Sequence, residues 1–118
     1  MIRLKTLMVT CKKLHEVFIA NDIDYFTGVP DSTFKDWMSY LAINEKLTNR
    51  IAANEGNAIA HACGYYLATK KIGVVYMQNS GLGNCVNPLT SLADQEVFGI
   101  PMILMIGWRG EPGKTDEP

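Results

Sequence analysis

The residue best placed to do chemistry is Glu55, in the stretch Asn54-Glu55-Gly56-Asn57. The small-residue run 58–64 that follows reads as a tightly packed helix, with Glu55 in its first turn. At about 100° per residue, Glu55 shares a face with Ile59, Ala62 and Tyr66. An acid on an apolar face costs free energy unless something pairs with it. A first-turn acid can also do no more than complement the positive end of the helix dipole. A second polar, glycine-rich stretch downstream, Gln78-Asn79-Ser80-Gly81-Leu82-Gly83-Asn84, shifts the balance toward a pairing role. Its first three side chains either bond to packed backbone or face a polar ligand, and the sequence leaves both open.

Other motifs fall short of their chemistry. Gly81 and Gly83 after a strand would let backbone amides approach phosphate. The dinucleotide fingerprint fails, because Val86 holds its third glycine position and the loop comes late in the chain. Gly113-Lys114-Thr115 echoes the end of a P-loop, but Trp108 stands where its first glycine belongs. Neither His15 nor His61 reads as a catalytic base; His61 lies about 120° around the helix from Glu55, on the more exposed side. Cys85 lacks a histidine to activate it and reads as core. Trp37, Met102 and Met105 read as core too. No Ser-His-Asp elbow and no cluster of metal ligands is visible, so no metal is assigned to this chain's residues.

Composition bounds the rest. The 118 residues allow one domain, long enough to bury a sizeable core. With 47% hydrophobic and 19% charged residues the chain belongs among ordinary globular proteins. A net charge of −1 offers no basic field to nucleic acid or to an anionic membrane. The longest apolar run, 100–106, contains Pro101 and is far too short to span a bilayer. The basic start Met1-Ile2-Arg3-Leu4-Lys5 meets Cys11-Lys12-Lys13 before a signal-peptide core can develop. Three cysteines, at 11, 63 and 85, read as reduced, buried thiols of a cytoplasmic protein. The tail 110–118 is polar and turn-rich, with no closing element. It reads as an interrupted loop, from a fragment of a longer polypeptide or a subunit completed by another chain.

The elements that must position these residues alternate. Leu14, Val17 and Phe18 predict an amphipathic helix over 10–21. A short aromatic strand over 24–27 ends at Gly28-Val29-Pro30. Asp31 or Ser32 caps the next helix, which carries Phe34, Trp37, Met38 and Leu41. A second strand is expected over 50–53, ahead of the Glu55 helix. The nearly continuous apolar run 71–77 predicts a strand covered on both faces. The Gly81–Gly83 loop then leads into a helix through Leu89, Leu92 and Ala93, and 100–106 supplies another buried strand. This is an α/β fold, a parallel sheet flanked by helices. In such sheets ligands bind beyond the carboxyl ends of the strands. The segments 28–32, 54–57, 78–84 and 107–111 should therefore gather along one edge.

Four of these segments together resemble the thiamine diphosphate-dependent decarboxylases. They are Gly28-Val29-Pro30-Asp31-Ser32, Ala52-Ala53-Asn54-Glu55-Gly56-Asn57-Ala58, Tyr76-Met77-Gln78-Asn79-Ser80-Gly81-Leu82-Gly83-Asn84 and Gly107-Trp108-Arg109-Gly110-Glu111-Pro112-Gly113. The nearest branch is phosphonopyruvate decarboxylase, with the sulfopyruvate decarboxylase alpha chain a near relative, and the likeness covers residues 10–118. The resemblance implies a pyrimidine-binding domain in which Glu55 contacts a ring nitrogen of the cofactor and shares a proton with it. It further implies that Gly28, Val29, Pro30 and Asn79, Ser80, Gly81, Leu82, Gly83, Asn84 line thiamine diphosphate. Asp31, Ser32 and Gln78 fall on the substrate side; Arg109 is either an anchor for an anionic substrate group or an ordinary loop charge. The family's Gly-Asp-Gly motif, which with a downstream Asn holds magnesium and diphosphate, is absent from these residues. The resemblance thus implies a half-site completed by a diphosphate-binding domain of the same or a partner subunit, in a homo-oligomer acting on a small 2-keto acid. The candidate reactions are decarboxylation of 3-phosphonopyruvate in phosphonate biosynthesis and of sulfopyruvate in coenzyme M synthesis. A non-catalytic α/β binding module is the third reading.

Overall fold

A computed structural model describes residues 9–115. The basic start 1–5 and the tail end 116–118 lie outside the described residues. Helix α1 (Cys11–Ala20) begins at Thr10, whose hydroxyl accepts the Lys13 amide, and ends at Asn21. Its core contact is Phe18; Leu14 is half-buried, and Val17, expected on the same face, is 55% exposed. Strand β1 (Tyr25–Gly28) follows, then a 3₁₀ turn (Ser32–Phe34) leading into α2 (Lys35–Ile43), which buries Trp37 and Leu41. Strand β2 (Thr48–Ile51) starts two residues before the expected 50–53. Pairing with β1 fixes it there: Thr48 lies opposite Tyr25, and Ala52, already past the strand, is held by its amide on the Gly28 carbonyl at 2.9 Å.

Strand β3 (Gly73–Gln78) starts two residues after the expected 71–77 and ends one after it, and helix α3 (Glu55–Thr69) stands where expected. The segment after β3 does not. Residues expected as a loop form a tight 3₁₀ helix (Asn79–Cys85), continued by a short α turn (Val86–Pro88) and a π turn (Leu89–Ala93) in place of one regular helix. The buried Cys85 thiol, donating to the Gly81 carbonyl at 3.6 Å, draws this turn inward. Strand β4 (Met102–Gly107) replaces the fully buried strand expected at 100–106: its apolar residues are half-buried and Ile106 is 38% exposed. The cause is its place at the end of the sheet, whose order is β2-β1-β3-β4 with parallel pairing throughout.

Alternation along β3 divides the core. Val75 and Met77 pack with Ile59, Ala62 and Cys63 of α3, whereas Val74 and Tyr76 pack with Phe18, Phe26, Trp37 and Leu41 on the α1/α2 side. Sheet faces covered on both sides this way account for the unbroken apolar run. Cys63 and Cys85 are buried, but Cys11 is only half-buried, against the expectation for all three.

This core carries a pH signature. Burial raises the Tyr76 and Tyr25 hydroxyls and the Cys63 and Cys85 thiols above their ordinary values, the Glu55 charge adding to the Cys85 effect. Raised folded-state values on acids that are neutral when protonated mean stability that is complete below the unfolded values and lost as pH climbs toward the folded ones. The urea midpoint should hold level from pH 7 to about 8 and fall above about pH 9, where free thiols and then phenols ionise. A midpoint unchanged at pH 10.5 would contradict this.

Candidate active site

All four polar segments leave the carboxyl ends of their strands and meet along one edge of the sheet. Asn54 caps α3, its side chain accepting the Asn57 amide at 2.9 Å, so the helix starts sharply and delivers Glu55 at the first position. On the Glu55 face, Ile59 and Ala62 are buried, while Glu55 itself is only half-buried. Its Oε2 accepts the Asn84 amide at 2.8 Å. Among the described residues no donor reaches Oε1.

Gly81 lies beneath that carboxyl. A Cβ at Gly81 would sit 2.6 Å from both Cδ and Oε1 of Glu55, so the missing side chain is the room the carboxyl occupies. Gly56 is also close against the Asn84 carbonyl, 2.9 Å from a would-be Cβ, which sets the start of α3 on the end of the 79–85 turn. The two segments that drew attention in the sequence are thus one structure.

Asn79 resolves part of the choice left open for 78–80. Its amide nitrogen donates to the Arg109 carbonyl at 3.0 Å and its oxygen accepts the Arg109 N–H at 3.3 Å, tying the third loop to the fourth. Gln78 is the last residue of β3, half-buried and in register with Gly107, and Ser80 is exposed. Leu82 and Val86, apolar residues flanking Gly83-Asn84-Cys85, are 37% and 61% exposed; Gly83 is exposed too.

The first loop approaches from the other side. Gly28 is buried between β2 and β3, Val29 donates its amide to the Tyr76 carbonyl at 3.3 Å, and Pro30 and Ser32 are exposed. Asp31 stands at the cap position without capping by its side chain; the carboxylate instead accepts the Thr33 hydroxyl. Both side chains press against Gly107, where only a glycine leaves them space. Nothing in the spacing pointed to Thr33 or Gly107, nor to the bond between Asn84 and Glu55. A cleft of about 390 Å³ between Thr33, Phe34, Trp108 and Lys114 opens beside this contact. A larger cleft, about 500 Å³, lies between the start of α1 and residues 32–37, and of the sequence-nominated site residues only Ser32 lines it. The histidines stay apart: His61 bonds the buried Thr27 hydroxyl at 3.2 Å, and His15 the Tyr40 hydroxyl at 2.6 Å.

Residues 9–115 match the family described as thiamine pyrophosphate enzyme, N-terminal TPP binding domain. The chain is 35% identical over 91 residues to the sulfopyruvate decarboxylase subunit alpha of Methanocaldococcus jannaschii, covering 77% of this chain and 52% of that one. It is 38% identical over 91 residues to the phosphonopyruvate decarboxylase of Streptomyces viridochromogenes, covering 77% of this chain and 22% of that one. It therefore spans about half the length of the first relative and about a fifth of the second. The fold matches that of benzoylformate decarboxylase from Polynucleobacter necessarius with a TM-score of 0.76 at 23% identity, over 94% of this chain and 20% of that one. A match that takes in every described residue makes this chain a member of the thiamine pyrophosphate enzymes, as their N-terminal TPP-binding domain.

Proposed function

We propose that this chain is the pyrimidine-binding half of a thiamine diphosphate-dependent 2-keto acid decarboxylase. The observation that carries the reading is the Glu55 carboxyl, seated over Gly81 with one oxygen engaged by Asn84 and the other without a donor. That arrangement fits an aminopyrimidine: a fixed carboxyl oxygen is on offer to a ring nitrogen. When bound, thiamine diphosphate supplies the carbon nucleophile and electron sink that a 2-keto acid needs to lose carbon dioxide. The part of this chain is to hold and move a proton at Glu55 Oε1. Gly28, Val29 and Pro30 on one side, and residues 79–83 on the other, line the cofactor, with Asn84 behind Glu55. The apolar Leu82 and Val86 keep water from it once the sheet edge is covered, which strengthens the charge interactions inside.

Diphosphate and magnesium are held by a second domain outside these 118 residues, on the same or a partner subunit of a cytoplasmic homo-oligomer. On the substrate side stand Asp31, Ser32 and Gln78, with Arg109 as the anchor for an anionic group. The substrate proposed is 3-phosphonopyruvate, converted to phosphonoacetaldehyde and carbon dioxide, in keeping with 38% identity to the Streptomyces enzyme. Sulfopyruvate is the second reading, favoured by the larger share of the methanogen subunit that is matched, 52% against 22%. Assays of the complete enzyme on both keto acids decide between them. The 118 residues alone, with cofactor and magnesium added, should turn over neither. Turnover by the isolated chain would overturn the half-site reading, and a preference for sulfopyruvate would overturn the substrate.

A further inference from the structure

We propose that Asn84 is a positioning residue that acts on the cofactor only through Glu55. The inference rests on the reading of Glu55 as the pyrimidine partner and assigns Asn84 a different task from the loop residues around it.

The argument starts from what a glutamate in the first turn of a helix would do alone. Its side chain has three rotatable bonds and, half-buried at the edge of the sheet, would sample several rotamers at an entropic cost to any one of them. Two contacts remove that freedom here. Asn84 donates to Oε2 at 2.8 Å, a charge-assisted bond, and Gly81 provides the recess against which Cγ, Cδ and Oε1 lie. The engagement is asymmetric. With Oε2 held, Oε1 is the oxygen left to a ligand, and its direction is set before any ligand arrives.

Asn84 is itself fixed from its own backbone. Its carbonyl abuts Gly56, its neighbour Cys85 is fully buried against Met77, and the whole turn follows β3 without a break. The Asn84 side chain thus measures the distance between the end of β3 and the start of α3, and converts that distance into the orientation of one carboxyl. Glu55 and Asn84 are 29 residues apart in sequence, so the geometry exists only when both elements are docked.

The test is a double-mutant cycle on the complete enzyme, read as the dissociation constant for thiamine diphosphate with magnesium present. Asn84→Ala should weaken binding about tenfold when Glu55 is present and less than twofold in a Glu55→Ala background. Equal weakening in both backgrounds would mean that Asn84 touches the cofactor itself, and no weakening beside Glu55 would remove its role; either result overturns the proposal. A second readout needs no cofactor. In the 118-residue protein, side-chain couplings of Glu55 should report one rotamer in the wild type and averaging in Asn84→Ala, with the amide spectrum elsewhere unchanged. A single Glu55 rotamer surviving in Asn84→Ala would also overturn it. Were Glu55→Ala to bind the cofactor as well as the wild type, the reading of Glu55 would fall, and the rotamer measurement would still decide whether Asn84 positions it.

Discussion

Glu55→Gln in the complete enzyme is expected to lower kcat for 2-keto acid decarboxylation by about 10²–10⁴-fold, the range for loss of a positioned proton-transfer group. The substitution suits the question because little else changes. Glutamine keeps the shape that fills the recess over Gly81, and its carbonyl oxygen can still accept from Asn84. What disappears is the exchangeable proton on the oxygen facing the ligand. The competing account gives Glu55 only the task of complementing the α3 dipole, which is worth about 0.3–1 kcal/mol at an exposed helix start. On that account the variant would melt a few degrees lower and keep its turnover. The two accounts move different observables, so kcat and the thermal midpoint measured on the same preparation separate them. Activity within about threefold of wild type, alongside a lowered midpoint, would leave the dipole account standing and end the proton-transfer role.

Much of the architecture that delivers Glu55 was legible because it depends on local pattern. The apolar run over β3 announced a strand covered on both faces, and the alternation of elements announced a parallel sheet whose loops collect at one edge. What escaped depends on partners distant in sequence. Strand β2 begins at Thr48 because Tyr25 lies opposite, a register that no propensity within 48–53 encodes. Strand β4 has the composition of a buried strand yet is half-exposed, since composition does not say which strand stands last in the order. The 79–85 segment, with two glycines and two asparagines, carries turn signals throughout. It coils only because Cys85 is drawn into the core beside Met77.

The site shows the same division. Glu55 and the 78–84 loop were nominated by residue type and by position after strands, and Asp31 by the family resemblance. Their pairings were not: Asn84 with Glu55, Asn79 with the Arg109 backbone, and Thr33 with Asp31 across Gly107. Each pairing joins or braces loops that leave different strands, or closes a loop on itself over a neighbour. Such contacts follow from strand order and register, and a sequence read along its length holds neither.

Gly28→Ala should be the most destabilising small substitution on the edge that carries the site, at about 3 kcal/mol, the upper range for overpacking a filled core. Gly28 ends the central strand β1, with Ile51 beside it in β2 and Tyr76 in β3. A Cβ there would run into the Tyr76 carbonyl oxygen and come within 2.8 Å of Cε2 of its ring. Neither can yield cheaply. The carbonyl belongs to the middle of a strand and accepts the Val29 amide, while the ring is wholly buried and tethered by its hydroxyl to Asn49 at 2.9 Å. Relief therefore requires β1 and β3 to part, which would also shift the 28–32 loop away from Gly107. Gly81→Ala makes the informative contrast, for the atoms nearest its Cβ are those of the Glu55 side chain from Cγ outward and none is backbone, and that half-buried side chain can swing away. That variant should lose most of its activity at a cost below about 1 kcal/mol of stability, since a side-chain rotamer yields more easily than packed backbone. Urea unfolding of both variants, with turnover measured beside it, checks the pair. An unfolding midpoint for Gly28→Ala equal to the wild type would show that β1 and β3 are not packed as closely as described, and the placement of the first loop would fall with it.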